Sequence, residues 1–381
     1  MGRFVYMDYN ATTPVHPEVL EEMLPFLETD FGNPSSIHWA GRPAKQGVEL
    51  ARERVASLLN CDTSEVVFTS CATESNNAAL KGVASALHGK GDHIVTTGVE
   101  HPSVLYPCHY LENFGYRVTS LDVNAEGILD LDVLESSTTE KTILISVMYA
   151  NNETGTIFPV RQIGEIAARH NITFHCDAVQ AVGKIPLDWK ALGVGLMSLS
   201  GHKLYAPKGT GALIIRKGVK MYPLLHGGPQ EKNLRAGTEN TAGIVALGKA
   251  CEIAKQSMES ESARLRLLRD RLERQIMARI PDIRLNGHPT LRLPNTLNLS
   301  IPFVEPEPLL SGLDFSGIAV SSGSACSSGA LKASRVLAAM GLDANTPVSH
   351  VRFSLGRGNT GEDVDYVVNV LQELVEKLRR V

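Results

Sequence analysis

Residues 142–203 read TILISVMYANNETGTIFPVRQIGEIAARHNITFHCDAVQAVGKIPLDWKALGVGLMSLSGHK, and this stretch decides the fold. It contains three short β-type runs, TILISVMYA, ITFHCDAVQ and MSLSGHK, with helical or turn residues between them. The same alternation extends outward over residues 66–215 through the runs VVFTS, HIVTTGVE, RVTSLDV and GALIIR. Strands separated by amphipathic stretches are typical of βα units, so the seven runs predict an α/β domain with a mostly parallel seven-stranded sheet.

The chain beyond residue 216 predicts a second, smaller unit. Apolar residues at three and four spacing over 239–280 predict one long helix that crosses between domains. A second alternation follows Pro281 and ends in an amphipathic helix, which indicates a smaller α+β C-terminal domain. We therefore predict a large domain over 14–255 and a small domain formed by 1–13 and 256–381, with a mobile Gly/Ser-rich loop at about 321–332.

Composition excludes several classes of protein. The chain has 381 residues, 43% hydrophobic and 20% charged, and lacks an apolar run of the roughly 20 residues that a membrane span needs. Its N-terminus does not resemble a signal peptide, so we expect a cytoplasmic protein without a membrane partner. A net charge of -4 and the absence of a basic cluster argue against nucleic acid. Its six cysteines form no C-x-x-C pair, which excludes a typical zinc site.

Polar residues follow the predicted strands, where α/β sheets bind ligands. Lys203 ends a strand before a Gly-rich turn, and a partly desolvated lysine there is suited to covalent binding of an aldehyde cofactor; an ordinary surface lysine is the alternative. Asp177 also ends an apolar strand, where a buried carboxylate suits a protonated pyridine nitrogen; a cap of the next helix is the alternative. The turn before Thr73 suits a phosphate, unless Thr73 is simply a helix N-cap.

Nine segments together resemble one known family. They are NATTP at 10–14, GNPSS at 32–36, ATES at 72–75, EHPSV at 100–104, NNETG at 151–155, DAVQ at 177–180, SGHK at 200–203, RAGTEN at 235–240 and SSGSACSSG at 321–329. The combination is similar to the cysteine desulfurases of the NifS and IscS type, which are class V relatives of the aminotransferases with the fold of type I pyridoxal-phosphate (PLP) enzymes. The resemblance extends from residue 6 to about 360.

The resemblance implies a role for each matching residue around PLP. Lys203 would bind the cofactor covalently and remove the Cα proton of the substrate, Asp177 would pair with the pyridine nitrogen, and His101 would stack on the ring. The remaining cofactor contacts would come from Gln180 at the phenolic oxygen, Asn152 near it, and Ala72, Thr73, Ser200 and His202 at the phosphate. Thr238 matches a threonine that completes the phosphate site of the neighbouring subunit, which implies a homodimer.

The substrate contacts are implied in the same way. Arg352 matches the arginine that binds the carboxylate of L-cysteine, a role suited to a planar bidentate donor, with Arg357 as the weaker alternative. Asn33 and Asn152 would also contact the substrate.

Cys326 is the implied nucleophile. It would attack the sulfur of L-cysteine, release L-alanine and retain a persulfide, with His101 as a candidate acceptor of the thiol proton. The persulfide would pass to an iron-sulfur scaffold protein of the IscU or NifU type, and Cys326 would serve as a transient iron-sulfur ligand shared with that scaffold. Cys71 departs from the family pattern, which has glycine there, and adds a thiol beside the predicted phosphate turn.

Three other functions remain as alternatives. A selenocysteine lyase or another class V PLP enzyme would share the fold, and the thiol segment SSGSACSSG favours sulfur transfer over it. A noncatalytic partner in iron-sulfur assembly would not need Lys203, Asp177, His101, Arg352 and Cys326 together. An NAD-dependent dehydrogenase is disfavoured because no G-x-G-x-x-G follows the first strand.

Overall fold

The structure is a computed structural model that describes residues 3–322, 334–342 and 348–380. Its strands are β1 Val5–Tyr6, β2 Val66–Thr69, β3 His93–Thr97, β4 Arg117–Leu121, β5 Thr142–Ser146, β6 Thr173–Asp177, β7 Leu196–Ser200, β8 Gly211–Ile215, β9 Arg284–Leu285, β10 Thr296–Pro302, β11 Ile318–Ala319 and β12 Val348–Ser354. Its α-helices are α1 Pro17–Met23, α2 Pro25–Glu28, α3 Gly41–Leu59, α4 Ala72–Leu87, α5 Pro102–Glu112, α6 Leu131–Ser136, α7 Val160–Arg169, α8 Thr241–Arg279, α9 Pro306–Phe315, α10 Arg335–Ala339 and α11 Gly361–Leu378.

The central sheet has seven strands in the order β2-β8-β7-β6-β5-β3-β4. Only β8 runs against its neighbours, pairing antiparallel with both β2 and β7, while the remaining pairs are parallel. The prediction of a mostly parallel seven-stranded sheet is confirmed. Five of its strands, β2, β3, β5, β7 and β8, are buried along their whole length, as expected for a sheet covered on both faces.

Alternate strand residues pack into two different hydrophobic layers. Val67 and Ile94 pack with the apolar faces of α4 and α5. Phe68 and Val95, one residue further along, pack on the opposite face with α3, α7 and the first half of α8. Because successive side chains of a strand point to opposite faces, these short apolar runs supply both layers at once.

A second hydrophobic cluster lies outside the central sheet. It joins β1, β10 and β12 with α9, α11 and the second half of α8. The antiparallel sheet β12-β10-β9 forms its framework, and the N-terminal strand β1 pairs in parallel with β11. Helix α8 contributes to both clusters, as the predicted crossing helix requires. The domain limits at 14 and 255 stay a prediction.

Helix α8 begins at a capped residue. The side chain of Asn240 accepts a hydrogen bond from the backbone N–H of Gly243 at 3.2 Å, which satisfies one of the free N–H groups of the first turn. Within the part of the chain that the structure describes, no helix, α8 included, is long and apolar enough to cross a lipid bilayer.

Candidate active site

A cavity of about 170 Å³ lies at the carboxyl ends of the parallel strands. Ten of the predicted site residues line it: Ala72, Thr73, His101, Asn152, Asp177, Gln180, Ser200, His202, Lys203 and Arg352. Nine of them lie at the ends of β2, β3, β5, β6 and β7 or shortly after them. Arg352 belongs to β12. Parallel strands bring their carboxyl ends to one edge, so residues far apart in sequence meet there.

Asp177 is the last residue of β6 and is buried, with 7% of its surface exposed. Its Oδ2 accepts a hydrogen bond from Nδ2 of Asn76 at 2.8 Å, and its Oδ1 accepts one from the backbone N–H of Val179 at 3.1 Å. Residues 178–184 form turns rather than a helix, so Asp177 is not a helix cap. A carboxylate has about four acceptor positions, which leaves capacity for a protonated pyridine nitrogen.

Lys203 ends a short 3-10 turn, Gly201–Lys203, directly after β7. Its Nζ donates to the backbone carbonyl of Ala11 at 2.6 Å and to that of Asn10. The amine is therefore held inside the cavity by the N-terminal segment, and the alternative of an ordinary surface lysine is wrong.

A second buried lysine, Lys184, lies next to the predicted cofactor contact Gln180. Its Nζ donates to Oε1 of Gln180 at 2.7 Å and to Oδ1 of Asn10 at 3.0 Å. Burial, followed by the positive charges of Lys203 and Arg352, holds the pKa of Lys184 well below its usual value. The amine of Lys184 donates to the carbonyl of Gln180, and one amide N–H of Gln180 donates to the backbone carbonyl of Asn10 at 3.1 Å, which leaves the other N–H for another acceptor.

Sequence reasoning missed Lys184. Its spacing of four residues from Gln180 in QAVGK was the available signal, but the segment forms turns and not a helix, so the spacing alone did not place the two side chains together.

The start of α4 offers backbone N–H groups to an anion. The N-cap of this helix is Cys71, whose side chain makes no capping hydrogen bond, so Thr73 is not the N-cap. Ser200 and His202 line the same cavity as the start of this helix. Burial, followed by the charge of Lys203, lowers the pKa of His202 to about 4, so a neutral imidazole with one N–H is the form present at neutral pH. The thiol of Cys71 also lines the cavity.

Arg352 also lines the cavity and is buried, with 1% of its surface exposed. Its guanidinium donates to Oδ1 of Asp8 at 2.6 Å and to the backbone carbonyl of Asn152 at 3.0 Å. The Nε of Arg352 has no hydrogen-bond partner among the described residues. An unsatisfied buried donor is costly, so a carboxylate bound in the cavity at this nitrogen would be favoured.

His101 lies at the first turn of α5 and is its N-cap. Its Nδ1 accepts a hydrogen bond from the backbone N–H of Ser103 at 3.1 Å and lies 2.7 Å from the hydroxyl of Ser103. Burial is the main cause that lowers the pKa of His101; Lys203 and Arg335 act in the same direction and Asp177 acts against them.

Three predicted residues do not line this cavity. Asn33 lies in an exposed loop, where its Oδ1 accepts from the backbone N–H of Ser35 at 2.9 Å. Thr238 lines a separate depression beside the end of β2. Cys326 and most of the predicted loop at 321–332 lie outside the described residues. Arg357, the weaker candidate for the substrate carboxylate, lies over the ring of Tyr205 and donates to Ser257 at 2.8 Å, which indicates a structural role.

The donor and acceptor groups of the cavity fit PLP. An amine for the aldehyde, a buried carboxylate for the pyridine nitrogen and an uncapped helix N-terminus for the phosphate lie around one space. Lys203, Asp177 and the first turn of α4 supply these three groups.

Comparisons with known proteins agree with this chemistry. The family model "Aminotransferase class-V" matches residues 5–367. The chain belongs to this family, among the cysteine desulfurases of the NifS and IscS type. It is 51% identical to a protein named cysteine desulfurase IscS from Dictyoglomus turgidum, over all of this chain and 97% of the relative.

Solved structures of the family have the same fold. A structure described as a NifS-like protein matches with a TM-score of 0.93 and 40% identity, covering 98% of this chain and 100% of the other. A structure described as SspA in complex with cysteine matches with a TM-score of 0.82 and 36% identity, covering 92% and 98%. The predicted fold and the dependence on PLP are thus confirmed.

Proposed function

We propose that this enzyme is a PLP-dependent cysteine desulfurase that removes sulfur from L-cysteine, releases L-alanine and leaves a persulfide on Cys326. The observation that carries the proposal is the single cavity that joins the amine of Lys203, the carboxylate of Asp177 and the guanidinium of Arg352. An α-amino acid bound there has its carboxylate at Arg352 and its amino end toward Lys203. Relatives at about 50% identity carry the name of this activity.

The residues of the cavity divide the binding of PLP among them. When bound, PLP supplies an electron sink that weakens the bonds at the Cα of an amino acid. Asp177 holds the proton of the pyridine nitrogen, and the ring of His101 stacks on the cofactor. Gln180 donates an N–H to the phenolic oxygen, because its carbonyl already accepts from Lys184. Asn152 lies near that oxygen and the substrate.

The phosphate contacts come from one subunit and its neighbour. In this proposal, Ala72, Thr73, Ser200 and His202 bind the phosphate through the start of α4 and the end of β7. Thr238 completes the site of the neighbouring subunit in a homodimer, which agrees with its position outside its own cavity.

The substrate is held and deprotonated by this chain's own groups. Arg352 would bind the carboxylate of L-cysteine, with Asn152 and Asn33 as further contacts, and the amine of Lys203 would remove the Cα proton. The backbone carbonyls of Asn10 and Ala11 position that amine.

Cys326 lies outside the described residues, but the residues on both sides of its segment lie beside the cavity. The backbone N–H of Arg352 donates to the carbonyl of Ser321 at 2.7 Å. On the other side, the hydroxyl of Ser334 donates to the carboxylate of Glu153, next to Asn152. These two anchors support the role of Cys326 as the nucleophile that attacks the substrate sulfur.

The persulfide would leave with a protein partner. We propose an iron-sulfur scaffold protein of the IscU or NifU type as the acceptor, with Cys326 as a transient iron-sulfur ligand shared with that scaffold. The cytoplasm stays the proposed location. The proposed division into a large domain at 14–255 and a small domain at 1–13 and 256–381 is supported by the two hydrophobic clusters.

The test uses the purified holoenzyme, its visible absorbance, and assays of alanine and sulfide after addition of L-cysteine. We expect a yellow protein that forms alanine, and a Cys326→Ala variant that binds PLP but forms no alanine. Cys71→Ala is the matched control, because Cys71 is a thiol of the same cavity and should be dispensable. A wild-type protein that stays colourless and inactive after PLP is added would overturn the proposal.

A further inference from the structure

Asp177 and His101 are connected by two side chains that no cofactor contact requires. Asn76 donates through Nδ2 to Oδ2 of Asp177 at 2.8 Å and, through the same nitrogen, to the hydroxyl of Ser103 at 2.8 Å. The hydroxyl of Ser103 in turn lies 2.7 Å from Nδ1 of His101. Asn76, Asp177 and Ser103 are buried. We call these four residues the Asp177–His101 chain.

The directions of the hydrogen bonds follow from the carboxylate. An ionised carboxylate can only accept, so the NH₂ group of Asn76 must face Asp177. Both N–H groups of that NH₂ are then used, one on Asp177 and one on Ser103. The oxygen of Ser103 accepts from Asn76, and its single proton is left for Nδ1 of His101.

Nδ1 of His101 therefore accepts two hydrogen bonds. One comes from the hydroxyl of Ser103 and the other from its backbone N–H at 3.1 Å. A proton on Nδ1 would reverse the bond from the hydroxyl, leaving the proton of that hydroxyl without its acceptor, and would leave a buried backbone N–H without a partner, which is costly. The ring proton then belongs on Nε2.

We propose that Asn76 and Ser103 are positioning residues that keep His101 as the neutral imidazole with its proton on Nε2. His101 lines the cavity, so Nε2 offers an N–H there and has no lone pair. The inference deepens the proposed function: His101 stacks on PLP and donates a hydrogen bond to an anionic sulfur or oxygen in the cavity. It does not accept the proton of the Cys326 thiol, the role considered from sequence.

The charges around His101 agree with a neutral ring. The positive end of the α5 dipole disfavours a cation at the N-cap. Lys203 and Arg335 disfavour it as well, and Asp177 is the one group among the described residues whose charge favours it. A neutral imidazole at a helix N-terminus that acts as a donor is known in triosephosphate isomerase.

The test is nitrogen NMR of the holoenzyme labelled with ¹⁵N-histidine, between pH 6 and pH 9. His101→Gln identifies the His101 signals among the 12 histidines of the chain. In the wild type we expect the shifts of a neutral ring protonated on Nε2, unchanged across this range. This readout does not depend on turnover, so it stands even if no alanine is formed.

Two substitutions at Ser103 distinguish a role in positioning His101 from a general loss of structure. Ser103→Ala removes one of the two donors to Nδ1, and we expect the nitrogen shifts of His101 to move toward those of a ring that carries part of its proton on Nδ1. Ser103→Thr keeps the hydroxyl and should restore the wild-type shifts. A wild-type ring protonated on Nδ1, an imidazolium at neutral pH, or unchanged shifts in Ser103→Ala would each overturn the proposal.

Discussion

The two sides of the cavity use different physical means to control charge. One side, the Asp177–His101 chain, has a single carboxylate whose influence is passed on through directional hydrogen bonds between neutral groups. The other side has the amine of Lys203 and the guanidinium of Arg352, which is paired with Asp8, and the buried amine of Lys184 contacts Gln180 there. We call it the cationic side.

The two sides suit two different tasks, which are the binding of anions and the holding of a proton at one atom. Buried positive charges attract anions strongly, because the low dielectric of the interior weakens the field less than water does. The cationic side thus favours the phenolic oxygen of PLP and the carboxylate of L-cysteine. Neutral hydrogen bonds give direction without net charge, and the Asp177–His101 chain can hold a proton at a chosen atom.

Removal of Lys203 should have the largest effect on the cationic side. Lys203→Ala loses both the amine that binds PLP covalently and the base at Cα, and proton transfer by a positioned side chain is worth roughly 10²- to 10⁴-fold. We expect alanine formation to fall by at least that factor and intact-mass analysis after borohydride reduction to show no bound cofactor. Lys208→Ala, an exposed lysine of the same loop, should keep both. Covalent cofactor in Lys203→Ala would contradict the assignment.

Arg352→Lys should have the next largest effect. It keeps a positive charge near Asp8 but loses the donor geometry at Nε, and a hydrogen bond to a charged group is worth about 1.5–3 kcal/mol. We expect kcat/KM for L-cysteine to fall roughly 10- to 100-fold, chiefly through KM. Arg357→Lys should leave KM nearly unchanged. If the two variants behave alike, the substrate carboxylate does not bind at Arg352.

Lys184→Met should have a smaller effect than these two substitutions, and the effect should be on PLP binding. The methionine fills a similar volume but leaves the carbonyl of Gln180 without its donor, so that the amide is oriented by its N–H bond to the backbone carbonyl of Asn10 alone. The loss of one of the two hydrogen bonds that orient the amide predicts about tenfold weaker PLP binding. A PLP titration measures it, with Lys190→Met, an exposed lysine, as the control. Unchanged PLP affinity would show that Lys184 does not orient Gln180.

The smallest effect on activity is expected at Glu100, which directly precedes His101 in the chain and is buried. Burial is the main cause that raises the pKa of Glu100 to about 8, and its Oε2 has no partner among the described residues. The folded protein therefore holds a proton that the unfolded chain releases above pH 4.5. The stability that this protonated carboxyl contributes is lost as the pH rises from about 4.5 to 8.

Glu100→Gln removes this titration. We expect the variant to gain stability relative to the wild type by roughly 1 kcal/mol per pH unit between pH 5 and pH 8, and to gain no more above pH 8. Denaturant unfolding at several pH values measures it, with Glu112→Gln at the end of α5 as a control. A stability difference that does not vary with pH would mean that Glu100 is ionised in the folded protein.

Most residues of the cavity were predictable from the sequence, because the strands of the central sheet are short, apolar runs that end in polar residues. Asp177 and Lys203 each follow such a strand, so the topology of a parallel sheet was enough to bring them together. The long helix was predicted at 239–280 and is found at Thr241–Arg279, since three and four spacing is a strong signal over so many residues.

The contacts that sequence reasoning missed come from outside that pattern. Lys184 lies in a turn segment, and its burial depends on Asn10 from the N-terminal segment, which no local pattern predicts. Asp8 reaches Arg352 because the segment after β1 lies along β12, a contact 344 residues apart in sequence. The sequence identified Ser103 only as part of the segment EHPSV. Its hydrogen bond with His101 depends on how the two side chains are oriented at the start of α5, which the segment itself does not show.

The most direct test of the proposed desulfurase is to locate the sulfur after one turnover. The holoenzyme is mixed with one equivalent of L-cysteine, alkylated and digested, and its cysteine peptides are measured by mass spectrometry. We expect the added mass of one sulfur atom on the peptide that contains Cys326, and the same result in Cys71→Ala. Sulfur on Cys71 or on another cysteine of the wild type, or alanine formed without any bound sulfur, would contradict the account.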